Sequence, residues 1–149
     1  MKTIRNFFQE YALKIAFVQA WMAVLGSLYF SEIAGLRPCL LCWYQRIPMY
    51  SSAVILAVAI LRNDRKVYYY VLPLTIIGAA IAFYQYLLQM TPLATLVPAV
   101  CNAYESCSKI DFITLGFVTI PFLSLAAFLV VLIMMVIMLK SEAKNVKRN

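Results

Sequence analysis

Four long apolar runs, separated by short polar or charged stretches, organise the chain. They cover about residues 12–33, 43–61, 67–88 and 112–139. Each supplies the roughly 20 mostly apolar residues that an α-helix needs to cross bilayer hydrocarbon. The pattern predicts an all-α membrane protein: a four-helix transmembrane bundle forming a single integral membrane domain. The first run follows Lys2 and Arg5, as the core of a cleaved leader would. Its length, the interruptions at Lys14 and Gln19, and the lack of a small-x-small site after Ala34 argue for a retained helix.

Composition sharpens this picture. The chain is 64% hydrophobic and 13% charged, against about 25% charged residues in a typical soluble domain. A soluble fold of 149 residues has no interior large enough to hide so much apolar surface. Lipid is the expected solvent.

Charge orients the spans. The N-terminal stretch carries Lys2, Arg5 and Lys14, the turn at 62–66 carries Arg62, Arg65 and Lys66, and the C-terminal stretch carries Lys140, Lys144, Lys147 and Arg148. With four crossings, these segments share one side and hold ten of the thirteen basic residues. The other side has Arg37, Arg46 and Lys109. Positively charged loops stay inside, so both termini are expected to be cytoplasmic. The net charge of +7 is a topology marker on this reading, not a nucleic-acid footprint. Tyr68, Tyr69 and Tyr70 at one edge, and Trp43 and Tyr44 at the other, read as interfacial belts. Pro73 and Pro121 are expected to kink the helices that contain them. Gln19, Tyr84, Gln85 and Tyr86 read as interhelical glue, and Met134, Met135 and Met138 as lipid-facing or core packing.

Reactive chemistry falls to cysteine. The chain has no histidine, which excludes His-ligated haem, Cys/His zinc sites and His-based triads. Cys39 and Cys42 lie between the first two spans, and Cys101 and Cys107 in the 89–111 connection between the last two. An even number of crossings separates the pairs, so both are expected on the non-cytoplasmic side, where disulfides form and persist. Cys39-Leu40-Leu41-Cys42 follows Pro38 and opens the second helix, and its i, i+3 spacing puts both thiols on one face. Helix N-termini favour anions, and the thiolate is the form that attacks disulfides. Arg46 stands one turn beyond Cys42, where its charge would steady a thiolate or the oxygen of a bound acceptor. Snorkelling to lipid phosphate is the simpler alternative for it.

Two reversible dithiols on one side suggest a relay, while a four-cysteine metal site and inert structural disulfides remain open. No dinucleotide fingerprint, haem ligand set or cluster motif supplies a built-in acceptor. A relay would need a diffusible two-electron acceptor that lives in lipid, and a quinone fits.

The chain resembles the DsbB family of disulfide-forming membrane proteins, most closely the BdbC-type members of Gram-positive bacteria. The resemblance rests on Leu25-Gly26-Ser27-Leu28-Tyr29-Phe30-Ser31-Glu32 and on Cys39-Leu40-Leu41-Cys42-Trp43-Tyr44-Gln45-Arg46. It continues through Tyr70-Val71-Leu72-Pro73, Ile76-Ile77-Gly78-Ala79, and Gly116 to Leu125 with its Ile-Pro-Phe-Leu-Ser-Leu ending. It implies a quinone-coupled pair at Cys39 and Cys42, with Arg46 beside the quinone ring (menaquinone or ubiquinone) and no bound metal. It implies a shuttle pair at Cys101 and Cys107, attacked through Cys101 by a DsbA- or BdbD-like thioredoxin-fold oxidase. The setting would be a bacterial cell membrane, where a quinone-linked relay of this family keeps the extracytoplasmic space oxidising. One departure stands out: only five residues separate Cys101 from Cys107, far fewer than in Gram-negative members. A vitamin K epoxide reductase-like enzyme is the nearest enzymatic rival, but it lacks an arginine placed like Arg46. A non-enzymatic membrane protein binding metal through all four cysteines is the rival from another class. A small transporter is disfavoured because the spans offer no inward acidic residue.

Overall fold

Alanines at every fourth position, Ala12, Ala16 and Ala20, give the first helix, α1 (Lys2–Leu28), one smooth face, and that face is buried. Small residues let helix backbones approach closely, which matters where lipid removes the hydrophobic drive to associate. α1 runs into a single π-helical turn, Tyr29–Ile33, closed by the Ala34 N–H donating to the Tyr29 carbonyl at 3.0 Å. Three helices follow: α2 (Leu40–Arg62), α3 (Tyr68–Met90) and α4 (Ile120–Val146). The computed structural model describes residues 2–35, 38–90 and 119–146, and among these all regular structure is helical.

Local chemistry ends α2 sharply. Asn63 adopts the left-handed conformation (φ 54°, ψ 37°) and its N–H donates to the Ala59 and Ile60 carbonyls. Asparagine tolerates this geometry better than most residues. The carboxylate of Asp64 then accepts from the Lys66 N–H at 2.8 Å, turning the chain into α3.

The helices occupy four corners. α1 packs on α2 and α4, α3 packs on α2 and α4, and α2 barely touches α4 across the diagonal. Phe128, Val131, Met135 and Met138, spaced three and four apart on α4, fill the centre together with Leu56, Val71 and the α1 alanines. Gly78 is required by this packing: a Cβ there would collide with the Phe128 ring. No more than 39% of the apolar stretch of any span-length helix is buried in the bundle. Ile76, Ile77, Leu129, Ile133 and Ile137 point outward. Such a surface is stable against lipid, and helices satisfy their backbone groups internally there. The chain is a multi-pass membrane protein of four spanning helices, as its hydropathy pattern predicts.

Details differ from that pattern. α2 begins at Leu40, three residues before the expected start at 43, so Cys42 is helical and the first connection is shorter than 34–42. Pro121 is the second residue of α4, in the first turn, where a missing N–H costs nothing; the kink expected there is replaced by a helix start, with Thr119 accepting from the Leu123 N–H at 3.1 Å. Pro73 is interior to α3 as expected, and Pro48 is interior to α2. Tyr69 and Tyr70 are exposed, at 63% each, but Tyr68 is 2% exposed and belongs to the core, not the belt. Met135 and Met138 are core residues. Residues 112–118 of the fourth expected span, the 91–111 part of the 89–111 loop with its Cys101, Cys107 and Lys109, and Arg37 lie outside the described residues.

Candidate active site

The second helix starts on a cysteine. Cys39 is its N-cap, extended at φ −68° and ψ 170°, with its carbonyl accepting the Trp43 N–H at 3.1 Å. An extended cap residue turns its side chain back over the first turn, towards the third helical position, the relationship that joins Ser and Glu in a capping box. Here the third position is Cys42, and the two Sγ atoms stand 3.0 Å apart, in hydrogen-bonding contact. The N–H groups of the first turn have no helical partner, and with the helix macrodipole they favour negative charge at this end.

The far end of α3 closes the site. Ile81, Tyr84, Gln85 and Leu88 recur at helical spacing and form one stripe facing α2. Cys39, Leu41 and Leu88 make a small buried cluster, with Cys42, Ile81 and Tyr84 packed against it. Gln85 interrupts that apolar stripe and is only 2% exposed. Its Oε1 accepts a 2.6 Å hydrogen bond from Gln45 Nε2. Its own Nε2 lies 3.2 Å from Cys39 Sγ and 3.4 Å from Cys42 Sγ, within donating distance of both. The Cys42 thiol also reaches Oε1 at 3.9 Å.

Arg46 stands one turn beyond Cys42 on α2 and reaches α1. Its guanidinium lies over the Trp43 ring, 5.1 Å from the centroid, and Nη2 donates to the Ser27 carbonyl at 3.2 Å. The π-helical turn bears on this contact, because widening a helix by one residue disturbs its carbonyl ladder. The Ser31 hydroxyl donates to the Ser27 and Leu28 carbonyls at 3.2 Å each, just ahead of that turn.

Three expected site residues, Cys39, Cys42 and Arg46, are thus gathered at the start of α2. Cys101 and Cys107 lie outside the described residues. Among the described residues, no three His, Cys, Asp or Glu side chains come together as metal ligands. Gln85 is the interhelical glue the sequence suggests, through Gln45, but its contact with both sulfurs is not an expectation the sequence raises. The available clue is a polar residue on the apolar stripe of α3. Gln45 sits on the matching buried stripe of α2, with Leu41, Pro48, Met49 and Ser52.

Comparison with known proteins gives the family of the chain. The family profile described as disulfide bond formation protein DsbB matches residues 9–138. Disulfide bond formation protein C of Bacillus subtilis (strain 168) is 47% identical over 131 residues, covering 87% of this chain and 93% of that protein. Probable disulfide formation protein C 1 of Bacillus anthracis is 41% identical over 134 residues, 90% of this chain and 96% of its own. A probable disulfide formation protein of Coxiella burnetii (strain Dugway 5J108-111) is 38% identical over 127 residues, 85% of this chain and 86% of its own.

Proposed function

The chain belongs to the DsbB family of disulfide bond formation proteins, and from that premise we propose that it is a quinone-dependent thiol–disulfide oxidoreductase. It reoxidises an extracytoplasmic thioredoxin-fold oxidase of the DsbA or BdbD kind and passes the electrons to a membrane quinone. The observation that carries this reading is the pair of sulfurs at the start of α2, 3.0 Å apart and packed against α3.

The chemistry balances in two stages. A thiolate of the reduced oxidase attacks the disulfide of Cys101 and Cys107, at Cys101, and forms a mixed disulfide while Cys107 leaves as thiolate. The oxidase's second thiol resolves that bond, leaving the oxidase oxidised and Cys101 and Cys107 reduced. Exchange with the disulfide of Cys39 and Cys42 then moves the electron pair to the α2 site. There two thiols give up two electrons and two protons to the quinone, which becomes quinol as the S–S bond re-forms. Arg46 stands beside the pair with its charge held on Trp43 and Ser27, placed to stabilise negative charge developing on a quinone oxygen.

The same reading sets the orientation. The basic turn at 62–66 and the start of α1 lie at the end of the bundle opposite the dithiol, since short connections make successive helices antiparallel. Positive-inside topology puts that basic end in the cytoplasm of a bacterial cell and the cysteines outside.

The test is quinone reduction followed by absorbance, using the purified protein, a soluble quinone and a reduced thioredoxin-fold oxidase. Turnover that disappears in each of Cys39→Ser, Cys42→Ser, Cys101→Ser and Cys107→Ser, with the helical circular dichroism unchanged, is the expected result. Turnover that survives in Cys39→Ser or Cys42→Ser would overturn it.

A further inference from the structure

A dithiol that cycles through thiolates needs its transient charge stabilised, and this one is part-buried where α2 meets α3. Histidine, the usual partner of reactive thiolates, is absent from the chain. Arg46 makes its described contacts with the Ser27 carbonyl and the Trp43 ring. The carboxamide of Gln85 touches both sulfurs.

An amide side chain can present either an acceptor oxygen or a donor nitrogen to a neighbour, and the two choices have opposite effects on a thiolate. The two amides pair as donor and acceptor, with Gln45 Nε2 donating to Gln85 Oε1 at 2.6 Å. The Nε2 of Gln85 is left facing the sulfurs, at 3.2 Å from Cys39 and 3.4 Å from Cys42. That nitrogen carries two hydrogens, enough to serve both sulfurs without moving. A buried amide with its oxygen pinned is a fixed dipole, and fixed dipoles aimed at developing charge stabilise it with little reorganisation.

We propose that Gln85 is a catalytic residue of the Cys39–Cys42 redox pair, donating from Nε2 to whichever sulfur carries negative charge, and that Gln45 is the positioning residue that fixes its orientation. The inference rests on the thiol–disulfide reading of this site. When an incoming thiolate opens the Cys39–Cys42 disulfide, one S–S bond breaks and a new one forms between the attacker and one cysteine. The electron pair of the broken bond stays on the other sulfur, and the Gln85 amide donates to that leaving thiolate. In the reverse direction the same donor holds the attacking thiolate at the site. Because both sulfurs are in reach, the donor serves each step without a change of rotamer.

The experiment uses the full chain with Cys101→Ser and Cys107→Ser, reduced and held in detergent micelles. The rate of alkylation of Cys39 and Cys42 by iodoacetamide is measured from neutral to strongly alkaline pH. Gln85→Met, close in size but unable to donate, is expected to slow alkylation at neutral pH about ten- to a hundredfold, the range for a hydrogen bond to a charged group. Its rate should converge on the parent's at alkaline pH, where every thiol is ionised. Gln85→Glu keeps the shape but puts a carboxylate against the sulfurs, and should slow neutral alkylation at least as much. Gln45→Met should fall between parent and Gln85→Met. Convergence at high pH separates lost charge stabilisation from a merely structural change, which would alter access at every pH. A neutral-pH rate unchanged in both Gln85 variants would overturn the proposal, as would slowing by the same factor at all pH values. Failure of the quinone relay would look different: the Cys101→Ser, Cys107→Ser chain would keep this alkylation profile, while the chain with all four cysteines would reduce no quinone.

Discussion

Arg46 and Ser27 are joined across nineteen positions of sequence by a 3.2 Å hydrogen bond from guanidinium to backbone carbonyl, while the same guanidinium lies over Trp43. A charge at the edge of a spanning helix is thereby kept in one place. Planarity matters to that arrangement, because a guanidinium can stack on an indole and still donate in its own plane, whereas an ammonium cannot.

Removal of this group should therefore appear in quinone use more than in partner recognition. Arg46→Ala is expected to raise the apparent KM for quinone about tenfold or more, the scale of one lost charge-assisted contact. The KM for the reduced oxidase should change little. Arg46→Lys should restore part of the loss, since it keeps the charge without the stacking. Steady-state kinetics with each substrate varied in turn would decide, and an unchanged quinone KM in Arg46→Ala would remove Arg46 from the quinone site.

Packing makes a separate prediction at the middle of the bundle. A methyl group on residue 78 would meet the Phe128 ring, itself fully buried on α4. Overpacking of this kind costs about 1–3 kcal/mol. Gly78→Ala should lower the thermal unfolding midpoint in micelles, and Gly78→Leu should lower it further. The Gly78→Ala, Phe128→Leu double variant should recover part of the loss. Identical melting of Gly78→Ala and parent would show that the ring moves aside freely.

The second cysteine pair can be tested by trapping. In Cys107→Ser, Cys101 has lost the neighbour that would displace a bound oxidase, so a covalent complex through Cys101 should accumulate on a non-reducing gel. Addition of Cys101→Ser should abolish it. A complex that persists in that double variant and is lost in Cys39→Ser would place partner exchange at α2 instead.

Much of this architecture can be read from the chain because hydropathy is a property of whole segments. Four runs of apolar residues dictate four spans whatever their packing, and Cys39 and Cys42 meet because an N-cap and a third helical residue lie side by side. Features that depend on rotation between helices are another matter. Tyr68, Tyr69 and Tyr70 are chemically alike, and only the angular phase of α3 turns the first inward and leaves its neighbours outside. Pro121 reads as an interior proline until the start of α4 is known. Gln85 reads as glue because its distance to the sulfurs depends on how far α3 has slid along α2. The family resemblance supplies Arg46 its expected role, but the Trp43 and Ser27 contacts that hold it come from the packing of α1 against α2.

The π-helical turn Tyr29–Ile33 works as a frame shift in three dimensions. One residue is accommodated without lengthening the ladder of amide bonds, so everything after Leu28 is rotated relative to an uninterrupted α-helix. Excision of a single residue from that turn would restore α-helical phase, leave sequence composition almost untouched, and swing the departing chain to a new azimuth before it reaches Cys39. The length of α1, counted to the residue, is thus part of the address at which the thiols of α2 are delivered.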